Sequence, residues 1–274
     1  MKIYMFLPAR NEENNLPYFF ESILNQTLKP NKIVVVNDGS TDRTAEISKS
    51  FGVEVINLPF HPESYTADPS TSWKLAEVLN HALPPPEDYD YMMQISPDIL
   101  LPRNYIKTII ERMEKNPRLV IAGGQIEGEP CYSSHVRGAG RIYKVSWWNR
   151  YIGKFPLNYT YESYPLFKAR ALGYQVKSFP DVRMWALRPT RQYKPYYGYA
   201  MRELGYFPPY AIARCLVSIL KEPKIGVKML ITYINCPFPK LSDKQVIKWL
   251  RQYQIRKILN FKGNVKIWIT KFST

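Results

Sequence analysis

The stretch Val34-Val35-Val36-Asn37-Asp38-Gly39-Ser40-Thr41-Asp42-Arg43-Thr44 decides the fold. Three β-branched residues break off at a carboxylate, a glycine and a cluster of hydroxyls, the pattern of a buried parallel strand that delivers polar groups to its carboxyl end. Ligands of open α/β sheets bind at that end. Asp42 then opens a helix, with Ser40 or Thr41 placed to cap it. A plain strand, turn and helix would have the same spacing, so the surrounding pattern has to discriminate.

Outward from this stretch, the first 125 residues alternate strand and helix. A strand at 3 to 7 runs into Pro8-Ala9-Arg10-Asn11-Glu12, where Asn11 is placed to cap a helix carrying Leu16, Phe19, Phe20, Ile23 and Leu24 on one face. The strand at 33 to 37 is followed by a helix over 42 to 51 and a strand at 53 to 57. A loop at 58 to 71 holds three of the 23 prolines, and Ser72 then caps a helix that the run Pro84-Pro85-Pro86 stops. A strand at 91 to 95 leads to Ser96-Pro97-Asp98. A helix at 103 to 115 and a strand at 118 to 122 complete the alternation. Such a succession demands a mostly parallel sheet with helices on both faces. Beyond it lie Gly138-Ala139-Gly140 in a loop, a strand at 141 to 145, the pair Trp147 and Trp148, a helix at 163 to 172 ended by Gly173, and a strand at 174 to 179.

With 274 residues the chain can bury a full core, and its length suits one large domain with an appendage. The charge of +15 is unevenly spread. Residues 207–274 hold 13 Lys or Arg against two acids, Glu222 and Asp243, a net of +11; residues 1–206 hold 25 basic and 21 acidic groups, a net of +4. We therefore divide the chain into a catalytic-looking domain at 1–205 and a basic extension at 206–274. Three scattered cysteines make neither a disulfide framework nor a zinc cluster and fit a reducing compartment. Met1 leads directly into a strand rather than a secretory signal, so a cytoplasmic location is expected. The three histidines read as surface or loop residues.

Residues 1–190 resemble the family 2 glycosyltransferases, on the strength of Pro8-Ala9-Arg10-Asn11-Glu12, Asn37-Asp38-Gly39-Ser40 and the pattern that follows. The resemblance implies a GT-A fold, a Rossmann-like α/β sheet with helices on both faces, and inverting transfer of a sugar from a nucleotide-sugar to a lipid-linked (polyprenyl) or glycan acceptor. It implies that Pro8, Ala9, Arg10 and Glu12 form the first nucleotide-contact loop and that Asp38 holds the base. Glu12 also suits helix first-turn dipole compensation. The family's Asp-any-Asp metal motif falls on Ser96-Pro97-Asp98, so Ser replaces the first Asp. Asp98 is then the residue to bind Mg²⁺ or Mn²⁺ with the donor diphosphate, and Ser96 can donate a hydrogen bond but supplies no charge.

Counting back from Gly173, the resemblance places Glu162 on the catalytic base, with Glu where the family commonly has Asp. A carboxylate there also favours a helix N-terminus. Arg188 and Arg191 follow the last strand, where relatives carry a metal-ligating His or a diphosphate-binding Arg, and guanidinium forks suit a diphosphate. Gly138, Ala139 and Gly140 resemble the acceptor loop, although a simple turn fits them equally. Trp147 is a candidate acceptor platform, one of the two tryptophans belonging to the core. Lys74 lies where relatives place a cation near the phosphates, and also reads as a solvent-facing lysine.

In the tail, the apolar stretches 206 to 220 and 225 to 239 are shorter than the roughly 20 residues a spanning helix needs. Ser242 and Gln245 form a capping-box pattern before a helix with Val246, Trp249, Leu250 and Tyr253 on one side. Helices of that kind settle in the headgroup plane, so peripheral attachment to the inner face of the cell membrane is expected. Packing against the main domain is the competing reading. No nucleic-acid module is recognised, and no nucleic-acid partner is expected. The rival function is a non-catalytic nucleotide-sugar-binding or membrane-binding protein of the same fold. A dehydrogenase would need a glycine-rich turn after the first strand, which is missing.

Overall fold

The computed structural model describes residues 1–63, 65, 71–85, 88–131, 133–189 and 194–271, with backbone alone from 261 onwards. They form two compact units, Met1–Arg191 and Gln192–Thr274.

The first unit runs β1 (Ile3–Ala9), α1 (Leu16–Leu24), β2 (Lys32–Asp38), α2 (Thr44–Ser50), β3 (Glu54–Leu58), α3 (Leu75–Asn80), β4 (Tyr91–Gln94), β5 (Ile99–Leu100), α4 (Tyr105–Glu114), β6 (Leu119–Ile126), β7 (Arg141–Lys144), α5 (Val145–Tyr151), α6 (Tyr164–Ala171) and β8 (Gln175–Ala186). Its eight strands order as β3-β2-β1-β4-β7-β6-β8-β5. The β3, β2, β1 and β4 strands are parallel to one another, β7 is antiparallel to both β4 and β6, and β8 runs parallel to β6 and antiparallel to β5. This is a mixed sheet.

Period-two alternation splits the core. Ile3, Met5 and Leu7 of β1 pack with α1 and α4 on one face, whereas Tyr4 and Phe6 pack with α3, α5 and α6 on the other. The helical stripe foreseen in α1 is buried at Leu16, Phe19, Phe20 and Ile23, while Leu24 is exposed. Gly173, at φ 82°, ends α6.

Several local expectations are corrected. Asn11 does not cap α1, whose N-cap is Asn15. It takes φ 53° and accepts from Thr41 N–H at 2.9 Å while its own N–H donates to Ser40 Oγ at 3.0 Å, tying the β1 loop to the β2 loop. Neither Ser40 nor Thr41 caps α2. The N-cap is Arg43, and Asp42 just before it accepts from Thr44 N–H at 2.9 Å with one oxygen and from Glu13 N–H at 3.0 Å with the other. Ser72 opens a 3₁₀ turn ahead of α3. The last strand continues for 12 residues instead of ending at 179, because Pro180 falls in a gap of the β6–β8 ladder between Gly123–Ser178 and Gln125–Arg183, where no hydrogen bond is lost.

The second unit contains α7 (Tyr197–Glu203), α8 (Pro208–Lys221), α9 (Pro223–Ile234) and α10 (Lys244–Lys271). It opens at Gln192 rather than at 206, because α7 belongs to its core of Met201, Ala211, Cys215, Met229 and Tyr233. A Cβ on Gly198 would lie 2.2 Å from the Met229 carbonyl oxygen, so glycine permits the α7–α9 contact. Asp243, not a Ser242 and Gln245 box, caps α10, accepting from the N–H groups of Gln245 and Val246 at 3.0 and 3.1 Å. The α10 face expected to meet a membrane is partly occupied: Val246, Leu250 and Gln254 are buried, Gln254 accepts from Phe207 N–H at 2.8 Å and Arg251 donates to the Gly205 carbonyl at 2.9 Å. No helix among the described residues is long and apolar enough to cross a membrane.

Candidate functional site

The parallel strands β2, β1 and β4 end side by side, and each contributes polar groups at its carboxyl end. At the end of β2, Asp38 is buried, and its neighbour Gly39 takes φ 63° where a Cβ would lie 2.8 Å from the Pro59 carbonyl oxygen. Asp38 Oδ1 is 3.1 Å from His61 Nε2 and Oδ2 is 4.0 Å from Arg10 Nη1. Arg10 Nη1 lies 2.7 Å from the His61 ring, and Nη2 donates to the His61 carbonyl. Arg10 Nη1 is equally close to both nitrogens of that ring, so the His61 imidazole sits between the guanidinium and the Asp38 carboxylate. The His61 ring stacks on Tyr65 at 4.5 Å. Burial, followed by the charge of Asp38, raises the Tyr65 pKa. His61 is a loop residue, as the sequence suggested, and its contact with Asp38 makes it part of that carboxylate's environment as well.

The β1 loop holds Glu12, buried, with its N–H donating to Thr44 Oγ1 at 2.8 Å and its Oε2 accepting from Asn15 at 2.7 Å. Its Oε1 meets Arg188 Nη2 at 2.5 Å, and Arg188 Nε donates to Asp98 Oδ2 at 2.8 Å. One guanidinium thus spans two carboxylates that are 86 residues apart in the chain. The β5–β8 register explains the meeting, since pairing Ile99 with Ala186 brings Asp98 alongside Leu187, whose N–H donates to the Asp98 carbonyl at 2.8 Å. Burial works against the Arg188 charge, and the carboxylates of Asp98 and Glu12 more than offset it, so its pKa is raised. Pro8 and Ala9 form the last residues of β1, and Ser96 is half-buried two residues before Asp98. Arg191 lies outside the described residues.

At the end of β4, Gln94 donates from Nε2 to Glu162 Oε1 at 3.0 Å and accepts at Oε1 from Tyr143 O–H at 3.0 Å. Glu162 stands just before Ser163, the N-cap of α6. Its carbonyl accepts from the buried Arg141 at 2.8 Å, and Arg141 also donates to Tyr143 O–H and the Val136 carbonyl. Burial pushes the Tyr143 hydroxyl up to about 12 despite the nearby Arg141, so Tyr143 remains a donor at neutral pH. Gly138 closes over this carboxylate: a Cβ there would lie 2.1 Å from Glu162 Oε1. Gly140, at φ 133°, donates to the Gln94 carbonyl at 3.1 Å and accepts from Tyr105 O–H at 2.7 Å, with Ala139 packed on the core between them.

The structure therefore brings Arg10 to Asp38, Glu12 and Arg188 to Asp98, and the glycine loop to Glu162. Trp147 is corrected: it is buried in α5, with its ring near Tyr151 and Tyr174, and offers no face to a sugar. Lys74 pairs with Glu63 at 2.5 Å. Sequence reasoning passed over His61, Gln94, Arg141 and Tyr143. Gln94 alone left a signal, as an amide ending the otherwise apolar strand Tyr91-Met92-Met93-Gln94. Among the described residues no three His, Cys, Asp or Glu side chains gather as a metal cluster. The donor set suits an ion carried mainly by phosphate oxygens with one protein carboxylate, Asp98, the mode in which Mg²⁺ usually binds.

Residues 4–61 match the profile described as Glycosyl transferase family 2. Glycosyltransferase GlyA of Streptococcus pneumoniae serotype 4 is 26% identical over 187 residues, 67% of this chain and 24% of that protein, so the chain spans about a quarter of that relative's length. Among solved structures, the mannosyltransferase PcManGT of Pyrobaculum calidifontis, in complex with GDP-Man and Mn2+, aligns with a TM-score of 0.55 at 15% identity, covering 93% of this chain and 85% of that one. The S. aureus TarS 1-349 structure in complex with UDP aligns with a TM-score of 0.52 at 14% identity, covering 91% and 70%. These two likenesses establish the shared fold.

Proposed function

Because the chain carries a glycosyl transferase family 2 segment on a GT-A fold, we propose that it is a nucleotide-sugar-dependent glycosyltransferase acting by inversion on a lipid-linked or glycan acceptor. The observation that carries this is the convergence of Asp38, Glu12, Asp98 and Glu162 on the ends of β2, β1 and β4, with Arg188 joining two of them. In the proposed reaction Asp38 accepts from the base N–H, Glu12 accepts from ribose hydroxyls, and Arg188 turns from the carboxylates to the diphosphate, which outcompetes them as a doubly charged bidentate acceptor. Glu162, aimed by Gln94 and by the closure of Gly138, takes the proton from the acceptor hydroxyl as that oxygen attacks the anomeric carbon. The C1–O bond to the diphosphate breaks as the new glycosidic bond forms on the opposite face, which is why a single displacement inverts. Asp98 with Ser96 nearby would hold a Mn²⁺ or Mg²⁺ that neutralises the departing diphosphate.

The acceptor is proposed to be presented at the cytoplasmic face of the cell membrane, with the second unit attached to that surface by its basic charge. A non-catalytic nucleotide-sugar-binding protein is favoured by one observation: Ser96 stands where a carboxylate is usual, while Arg188 holds both Glu12 and Asp98. Incubation with radiolabelled nucleotide-sugars, Mn²⁺ and a polyprenyl phosphate separates the two. Transfer or donor hydrolysis lost in Asp98→Ala supports the enzyme. Saturable binding without turnover supports the binder.

A further inference from the structure

The second unit buries a small core and leaves a long apolar surface open. In α8, Ala211 and Cys215 face inward, whereas Ile212, Leu216, Val217 and Leu220 are 45% to 85% exposed. Their spacing of i, i+4, i+5 and i+8 makes one stripe along the helix. In α9, Gly226, Met229 and Tyr233 are buried, and Val227, Ile231 and Ile234 form the outer stripe. One residue, Glu222, joins the two helices, and a Cβ on Gly226 would lie 2.2 Å from the Ile219 backbone nitrogen. The hairpin is therefore locked at backbone contact, and its stripes cannot turn inward without parting the helices. Isolated exposed aliphatic residues are ordinary, but two continuous stripes on adjacent helices are not.

The charges beside the stripes are cationic. Arg214, Lys221 and Lys224 are exposed on the same two helices, with Glu222 as the one acid between Pro208 and Ile234, while Lys228 donates to Tyr196 O–H at 2.9 Å. Helices of 14 and 12 residues reach about 21 and 18 Å, short of the roughly 30 Å of a hydrocarbon core. An aliphatic stripe flanked by long cations on a helix too short to span matches a bilayer interface, where the stripe enters the acyl boundary and the ammonium groups reach lipid phosphates.

We propose that the α8–α9 hairpin is the membrane-docking face, lying in the headgroup plane of an anionic bilayer. The inference deepens the membrane attachment proposed above, placing it on this hairpin and not on α10, whose Val246 and Leu250 are already buried.

Flotation of the full chain with phosphatidylcholine vesicles, with and without phosphatidylglycerol, tests it in the absence of any donor. The protein is expected to float with the anionic vesicles. Leu216→Asp with Leu220→Asp should reduce the bound fraction on the order of tenfold or more, with the circular dichroism spectrum and UDP binding kept. Lys221→Glu with Lys224→Glu, which leaves both stripes intact, should weaken binding to the anionic vesicles alone, and Leu259→Asp on α10 should change nothing. The proposal is overturned if the unaltered protein stays in solution, if the leucine variant floats as before, or if the stripes prove to seal a dimer that the leucine variant dissociates. Vesicle binding is read without turnover, so its loss leaves the transferase reading standing, and a protein that floats without transferring sugar overturns only the latter.

Discussion

A buried carboxylate is useful to a ligand only through oxygens it has not already committed. Asp38 Oδ1 accepts from His61, so Oδ2, 4.0 Å from Arg10, is the oxygen left to a nucleobase N–H, with the guanidinium beside it for an adjacent carbonyl. Asp38→Asn replaces this pure acceptor with a group that is half donor. Loss of one hydrogen bond to a charged group is worth about 1.5–3 kcal/mol, so calorimetry with UDP should show binding weakened about tenfold or more; unchanged affinity would remove Asp38 from the site. Glu162 lies at the opposite end of the proposed reaction. Glu162→Gln keeps the contact with Gln94 but cannot take a proton, and kcat should fall on the order of 10²- to 10⁴-fold while UDP affinity stays within error. An equal fall in both quantities would make Glu162 a structural residue.

At the level of the elements, the site depends on turns more than on helices. Gly39 joins β2 to the Asp38 loop at φ 63°, and an added Cβ would press on the backbone of Pro59 and Phe60, which no rotamer change relieves. Gly39→Ala should cost on the order of 1–3 kcal/mol, lower the melting temperature and weaken UDP binding together; a variant as stable as the parent would show that the loop can move. The same local chemistry made much of the fold legible. The β-branched run of β2, the apolar stripe of α1 and the glycine after α6 are nearest-neighbour signals that survive in the final structure. What was not legible depends on contacts between distant segments. The length of β8 depends on a ladder gap that shelters Pro180, the meeting of Arg188 with Asp98 on a strand register, and the seating of α10 on the bonds of Gln254 to Phe207 and Arg251 to Gly205, 47 and 46 residues upstream. Gln94 and His61 were missed for the same reason, since their partners lie 68 and 23 residues away.

Over the whole molecule, stability is divided between two cores of very different size, the sheet-centred core of the first unit and the small cluster around Met201 and Tyr233 in the second. Gly198→Val, which forces a side chain against the Met229 carbonyl, should therefore lower an early unfolding transition and leave the later one in place. The acid response belongs to the first unit. His135 sits before β7 with its pKa lowered from 6.5 to about 4, by surrounding protein first and then by the guanidiniums of Arg141, Arg137 and Arg170. Solvent reaches this residue, yet all three cations act in the same direction. Above pH 6.5 the imidazole is neutral in both folded and unfolded chains and contributes no pH dependence. Between pH 6.5 and about 4 the unfolded chain takes up a proton that the folded one refuses, so stability falls as the pH falls through that window. Below it both states are protonated and the loss from this group is complete. Asp42 acts separately: its burial opposes ionisation, but its hydrogen bonds to Thr44 and Glu13 outweigh that and hold its pKa below 3.8, so its contribution is lost only in stronger acid. Denaturant titrations at pH 7 and pH 5 should thus show the unaltered protein losing stability relative to His135→Gln at the lower pH, because the variant has no proton to refuse. Curves that keep the same separation at both values would mean that His135 titrates alike in both states.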